Sequence, residues 1–331
     1  MKFLIAGLGS IGRRHLRNLT ALGESDIVLL RTGNASLPEL EAGAYPTEST
    51  LADALSRHKP AAVIVANPTA LHMDIAIPAA RAGCAVLIEK PLADNLSRVD
   101  ELRAAAKNNA GKILIAFQFR FHPTIQKARE LIQQGALGKI LTVHAHWGEY
   151  LPQWHPWEDY RQSYAARKDL GGGAIATLTH PLDYLRFVIG EIDSLTSLHG
   201  HISPLEVDVE DVAEMSVKFV SGAIGGVHVN LVQRPPANRF EIVGTQGTLR
   251  WEGGEGILYF LKMPAAFGTY STNPPAPIVE TFSPPEGFER NDMFLDEMRH
   301  FIAVARGAAS PRCTLEDGIR VQQLVQMARG G

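Results

Sequence analysis

MKFLIAGLGSIGRRHL, residues 1–16, decides the fold. Residues 2–6 form a short apolar-rich run that leads straight into Gly7-Leu8-Gly9-Ser10-Ile11-Gly12, and helical spacing begins directly behind it. A strand, a glycine turn and a helix in immediate succession form the entrance to a βαβ unit that holds a dinucleotide. Each glycine has a separate physical task. Gly7 permits the tight turn, Gly9 lets the backbone approach a pyrophosphate, and Gly12 allows close packing of helix on strand. Ser10 and Ile11 open the helix, so their backbone N–H groups face the anion. Glycines also serve turns that bind nothing, and the strand–turn–helix setting is what gives the motif its weight.

Working outward, short apolar runs at 27–30, 62–66, 85–88 and 113–117 alternate with helical segments at 11–22, 71–82 and 96–108. Nearly all-apolar strands separated by helices predict a doubly wound parallel sheet covered on both faces. We place this Rossmann domain at residues 1–121. A second, α+β domain at 122–331 opens with a helix from Pro123 to about Gln134, followed by a strand at 140–147 and an aromatic-rich loop at 150–169. A helix is expected at 174–188. Alternating runs at 215–220, 224–232, 240–243, 248–251 and 257–261 predict a largely antiparallel open sheet. Residues 263–287 are Pro-rich and read as irregular, and helices at 292–306 and 315–328 pack on either domain.

Composition narrows the function. The 331 residues are 45% apolar and 20% charged, with a formal net charge of -3, so two ordinary globular domains are expected and neither a membrane nor a nucleic-acid partner is. Cys84 and Cys313 stand apart, without metal-ligand spacing, which points to no metal and to the cytoplasm. The expected partner is a small molecule.

Other candidate contacts lie at strand ends. The acidic residue that commonly receives the ribose 2′-hydroxyl is replaced by Arg31 and Thr32, a pair suited to a 2′-phosphate, so NADP is expected ahead of NAD. Asn67, Pro68 and His72 follow one strand and Glu89-Lys90-Pro91 another, at the carboxyl edge where ligands bind in open α/β folds.

Together with Phe117-Gln118-Phe119-Arg120-Phe121-His122-Pro123 and Gly171-Gly172-Gly173 leading to His180 and Asp183, these motifs resemble the Gfo/Idh/MocA family of oxidoreductases along essentially the whole chain. The resemblance implies hydride transfer between a nicotinamide and a secondary alcohol or ketone of a sugar, sugar acid or nucleotide sugar, with Lys90 and His180 at the reaction centre. A free lysine is only ~0.1% deprotonated at neutral pH. Burial beside a cationic ring would favour its neutral form, and Lys90 is either the proton acceptor or a charged orienter of the hydroxyl. Thr177, His180, Asp183 and Tyr184 are expected on one helix face. Many relatives carry an Asp one turn before the histidine; here Ala176 and Thr177 stand there, which favours Lys90 as the base.

Arg120, His122, Tyr160 and Arg234 complete the expected substrate readers, with Arg161 and Arg167 as further candidates. The stretch Trp154 to Arg161 is similar to relatives associated with acidic sugars. Two rival readings are a glycosidase using transient redox and a nicotinamide-binding regulator without turnover. A homodimer or homotetramer is expected through the C-terminal sheet, with the run 223–229 making its open face apolar.

Overall fold

The computed structural model describes residues 1–31, 44–109, 111–263 and 276–330, with the side chain of residue 108 also left aside. The N-terminal part alternates β1 (Phe3–Ala6), α1 (Ser10–Ala21), β2 (Ile27–Leu30), β3 (Thr47–Glu48), α2 (Leu51–His58), β4 (Ala62–Val65), α3 (His72–Arg81), β5 (Ala85–Glu89), α4 (Val99–Ala106) and β6 (Ile113–Ala116). These strands form one parallel sheet in the order β3-β2-β1-β4-β5-β6. The order reverses at β1, so the glycine turn opens at the topological switch point, between β1 and β4. Strands β1, β2, β4, β5 and β6 are buried along their whole length, which explains their unbroken apolar composition. The two-residue edge strand β3, polar and outside any apolar run, was not expected from the sequence.

After α5 (Pro123–Gln133) and β7 (Ile140–Tyr150), the chain forms α6 (Ala174–Thr177), α7 (His180–Ile189), β8 (Ile192–Gly200), β9 (Val212–Phe219), β10 (Ile224–Asn230), β11 (Val232–Gly244), β12 (Thr248–Glu252), β13 (Ile257–Lys262), β14 (Ile278–Phe282), α8 (Arg290–Ala305) and α9 (Leu315–Ala328). The second sheet has eight strands in the order β14-β13-β12-β11-β7-β10-β9-β8. All its pairings are antiparallel except β7 with β10. Strand β8 escaped the sequence reading because Ile192, Leu195 and Leu198 recur every third residue. A register shift between Ile192 and Ser194 explains the spacing: the extra residue lets both Ile192 and Leu195 face the core. Strand β14 falls within the stretch expected to be irregular.

Two further expectations need correction. The segment 174–188 is not one helix: it breaks at Leu178 and Thr179, and Pro181 sits in the first turn of α7. In the run 223–229, Val227 and Val229 point into the core, while Ile224 and the half-exposed Gly226 and His228 face outward. The open face of the sheet is consequently mixed, polar at His146 and His228, which stack at 4.8 Å, and apolar at the exposed Ile224.

The last helices hold the two halves together. Helix α8 packs on α1, on β5 and on the turn Gln118–Phe121, while α9 packs on β6, β8 and α7. Asn291 on α8 donates to Asn18 on α1 at 3.0 Å.

Candidate active site

The glycine turn has the shape that an anion needs. Gly7 has φ of +95°, and a Cβ there would come within 2.7 Å of the Ala66–Asn67 backbone. A Cβ at Gly12 would meet the Gly7 carbonyl oxygen at 2.0 Å, so both positions exclude any side chain. At Gly9, by contrast, a Cβ would meet nothing within 4 Å. Gly9 is also the N-cap of α1, without a side-chain cap and without an acidic residue in the first turn. The first intrahelical bond is Arg13 N–H to Gly9 O at 3.0 Å, so the N–H groups of Ser10, Ile11 and Gly12 have no intrahelical acceptor. The residues fit a dinucleotide pyrophosphate.

At the neighbouring strand ends, Asn67 donates to Leu71 O at 3.1 Å, and Pro68 opens the short turn that starts α3. His72 is buried; its Nε2 lies 3.0 Å from Asn67 O and its Nδ1 3.3 Å from Leu92 O. Burial lowers its pKa, and a neutral ring donates to one carbonyl only, the nearer Asn67. His72 therefore shapes the loop from behind. Arg31 directly follows β2, with its N–H bonded to Glu48 O at 3.0 Å; Thr32 lies outside the described residues.

Lys90 crosses between the two halves. Its Nζ donates to the carbonyl oxygen of Thr177 at 2.9 Å. That carbonyl is available for a specific reason. A continuing helix would use it to accept the N–H of residue 181, but Pro181 has none. The proline that breaks the expected helix thus supplies the anchor for Lys90, and Thr177 contributes through its main chain.

His180 follows three residues later, 5% exposed. Its ring stacks on Trp147 at 4.9 Å and meets Phe119 at 5.1 Å, while Gln118 Nε2 approaches its Nε2 at 3.5 Å, long for a hydrogen bond. Burial lowers its pKa well below the usual imidazole value, and the charges of Lys90 and Arg290 push the same way. The ring is neutral at neutral pH. Its Nδ1, and the hydroxyls of Thr177 and Thr179, are buried without hydrogen-bond partners among the described residues.

Several expected readers have other work. Arg120 and Asp183 bind each other: Nε reaches the carboxylate at 3.0 and 3.1 Å and Nη2 at 2.7 Å, with both side chains buried. Arg120 also contacts Asp317 at 3.2 Å and donates to Arg312 O at 2.9 Å. Burial opposes the guanidinium charge, but the groups around it, Asp183 first and then Cys313 and Asp317, together hold Arg120 above its ordinary value. Burial favours neutral Asp183, and Arg120 works against that. His122 caps α5, accepting from Thr124 N–H at 3.3 Å, and burial lowers its pKa to about 4. Tyr184 is fully buried among Phe240, Trp251 and Phe119, a core residue whose phenol burial raises.

Arg161 pairs with Asp159 and Glu206, and Arg167 with Asp169. Tyr160 is half-buried and its hydroxyl accepts from Glu206 N–H at 3.1 Å. Arg234 is exposed, 4.2 Å above the Tyr150 ring. Trp147 and Gln118, both beside His180, were missed as site residues; no local spacing signals a strand tryptophan that will stack on a distant histidine.

Glu297 on α8 was also missed. It is 1% exposed, and neither carboxyl oxygen has a partner among the described residues. Burial pushes its carboxyl well above the ordinary value, reinforced by Glu89 and Asp183. Protonated in the fold and ionised when unfolded, it makes stability fall as pH rises above about 4.5, the unfolded value for a glutamate. For Glu297→Gln we expect a melting temperature that gains on the wild type progressively from pH 4.5 to 7; a pH-independent difference would contradict a protonated Glu297.

A parallel sheet with an open glycine turn, joined through α8 and α9 to an open antiparallel sheet, defines a two-part protein built on a Rossmann dinucleotide fold. The chain belongs to the Gfo/Idh/MocA family: residues 1–117 match the oxidoreductase family NAD-binding Rossmann fold, and residues 125–250 match a Gfo/Idh/MocA C-terminal domain. It is 31% identical to levoglucosan dehydrogenase of Pseudarthrobacter phenanthrenivorans over 56% of this chain and 54% of that protein. That match spans little more than half of the relative's length. It is 25% identical to D-apiose dehydrogenase of Paraburkholderia graminis, over 98% of this chain and 86% of the relative. Among solved structures, levoglucosan dehydrogenase in complex with NADH and L-sorbose superposes with a TM-score of 0.84 at 22% identity, covering 100% of this chain and 96% of that one. The WlbA dehydrogenase from Bordetella pertussis, in complex with NADH and UDP-GlcNAcA, gives 0.80 at 22%, covering 100% and 97%. These likenesses establish the fold.

Proposed function

We propose that the protein transfers a hydride between a nicotinamide and a secondary alcohol or ketone of a sugar, sugar acid or nucleotide sugar, with Lys90 and His180 as its catalytic residues. The observation that carries this reading is the junction at Thr177, where a lysine from the end of β5 reaches the segment that presents His180. The relatives named for levoglucosan and D-apiose support the substrate class.

A dinucleotide bound at the glycine turn would supply, through its nicotinamide, the hydride acceptor or donor. Ser10, Ile11 and Gly12 hold its pyrophosphate through backbone N–H groups. Lys90 takes the hydroxyl proton in oxidation and returns it in reduction. His180, neutral and walled by Trp147 and Phe119, holds the same hydroxyl by a hydrogen bond and excludes water from it. Tyr160 and Arg234 remain the candidates for contacting the rest of the substrate. A screen of sugars, sugar acids and nucleotide sugars is expected to show reduced nicotinamide accumulating in proportion to substrate consumed; hydrolysis without that accumulation would overturn a net redox reaction.

NADP is placed ahead of NAD on the position of Arg31 at the end of β2. A charge-assisted hydrogen bond contributes about 1.5–3 kcal/mol, so Arg31→Asp is expected to cut any NADP preference roughly ten- to a hundredfold. An undiminished preference removes Arg31 from the assignment.

Both cysteines are buried free thiols, which suits the reducing cytoplasm. No helix of the described residues is long and apolar enough to cross a membrane. We place a homodimer or homotetramer on the outer face of the C-terminal sheet, where Leu141 and Ile224 are exposed. Ile224→Glu is expected to lower the mass seen by light scattering; a monomeric wild type at micromolar concentration would exclude the assembly.

A further inference from the structure

Glu89 precedes Lys90 and was expected to touch the dinucleotide. The structure commits it elsewhere. One carboxyl oxygen lies 2.7 Å from Nε2 of His15, and the other accepts the Lys90 backbone N–H at 3.2 Å. His15 is fully buried, on α1, three residues beyond the last glycine of the turn. Glu89 is 8% exposed; besides Glu297, whose carboxyl burial pushes towards its neutral form, the groups whose charge reaches it are His72, bonded to main-chain carbonyls, and Arg14 on α1, held over the Phe294 ring at 4.3 Å. A single carboxylate therefore bridges the helix that receives the pyrophosphate and the residue whose side chain reaches Thr177.

We propose that His15 is a positioning residue for Lys90: it holds the Glu89 carboxylate against α1, so that Glu89 fixes the Lys90 main chain and does not capture the Lys90 ammonium. The reason is a competition among charges. A buried carboxylate stripped of its partner is costly and turns to the nearest cation. Without the His15 N–H, and with Arg14 held over Phe294, Lys90 is the cation next to Glu89 on the same loop, and a lysine paired with Glu89 stays charged and is withdrawn from the hydroxyl it must deprotonate. His15 thereby couples the dinucleotide helix to the reaction centre without touching either reactant. The inference rests on Lys90 being the proton acceptor.

The test compares His15→Leu, which removes the N–H, with His15→Gln, which restores a donor of similar reach; His15→Met replaces the leucine variant if that one fails to fold. Two readouts are taken. On protein without dinucleotide, reductive methylation of Lys90 by formaldehyde is followed by peptide mass spectrometry. With dinucleotide, kcat is measured across pH. For His15→Leu we expect Lys90 methylation at pH 8 to slow at least fivefold, kcat to fall 10- to 100-fold with its acid limb displaced to higher pH, and dinucleotide Kd to stay within threefold. His15→Gln should recover kcat to within threefold of the wild type. Unchanged methylation and kcat in His15→Leu would overturn the proposal, as would an equal loss in His15→Gln, which would mark the ring as packing alone. Lys90→Ala is run alongside: turnover surviving in that variant sinks the catalytic assignment of Lys90 itself, a failure distinct from that of His15.

Discussion

Replacing Lys90 with alanine is expected to lower kcat by roughly 10²- to 10⁴-fold, the usual contribution of a positioned proton acceptor, while leaving dinucleotide Kd nearly unchanged. The separation follows from where the parts lie. The cradle proposed for the pyrophosphate is backbone at Gly9 to Gly12, whereas the Lys90 side chain reaches the Thr177 carbonyl. His180 cannot substitute, because burial and the facing cations Lys90 and Arg290 keep its pKa well below neutrality. Losing the Lys90 charge relaxes one of those influences but leaves the larger, burial. Stopped-flow absorbance at the nicotinamide band, with fluorescence titration of the dinucleotide, checks both halves of this expectation. Turnover within tenfold of the wild type would remove Lys90 from the chemistry, and a parallel collapse of dinucleotide affinity would mean that its role is structural.

The second large effect is on stability. Asp183→Ala leaves Arg120 buried with Asp317, a main-chain carbonyl and the Phe187 ring as its partners among the described residues. Breaking a buried ion pair from one side typically costs about 3–5 kcal/mol. We expect the melting temperature to drop by on the order of 10 °C. Replacing both residues with apolar ones, Arg120→Met with Asp183→Leu, should recover most of that loss, since no uncompensated charge remains. A double variant no more stable than Asp183→Ala would show that the geometry of the pair, rather than its stranded charge, holds this region together. Because α7 carries both Asp183 and His180, the single variant is also expected to lose turnover well below its melting point.

Much of the N-terminal half was legible because its constraints are local. Gly7 needs a positive φ and Gly12 has no room for a Cβ, and both requirements show as glycines at fixed spacing. The buried parallel strands show as unbroken apolar runs for an equally local reason. Legibility failed where one residue changed the local rule. A bulge turned the alternation of β8 into a three-residue spacing, and Pro181 broke a helix that apolar periodicity alone carries from residue 174 through to residue 188.

The site was legible as a set of residue types and not as a set of partnerships. Arg120, Asp183 and His122 are polar residues beside the crevice, which is also how substrate readers look. Whether such a group faces a ligand or another part of the protein depends on what the fold brings opposite it. Asp183 meets Arg120 across 63 residues of chain and Glu89 meets His15 across 74, and a buried charge is tolerated only where such a partner is found. The amino-acid sequence by itself determined the glycine turn and the parallel sheet, because short-range sterics and apolar burial act between near neighbours; it offered Lys90 from its place at a strand end and His180 through the family resemblance of the motifs around it. Only the tertiary structure decided which polar side chains are spent on one another and which remain for a substrate, since the electrostatic cost of burial is settled between residues that the chain order keeps far apart.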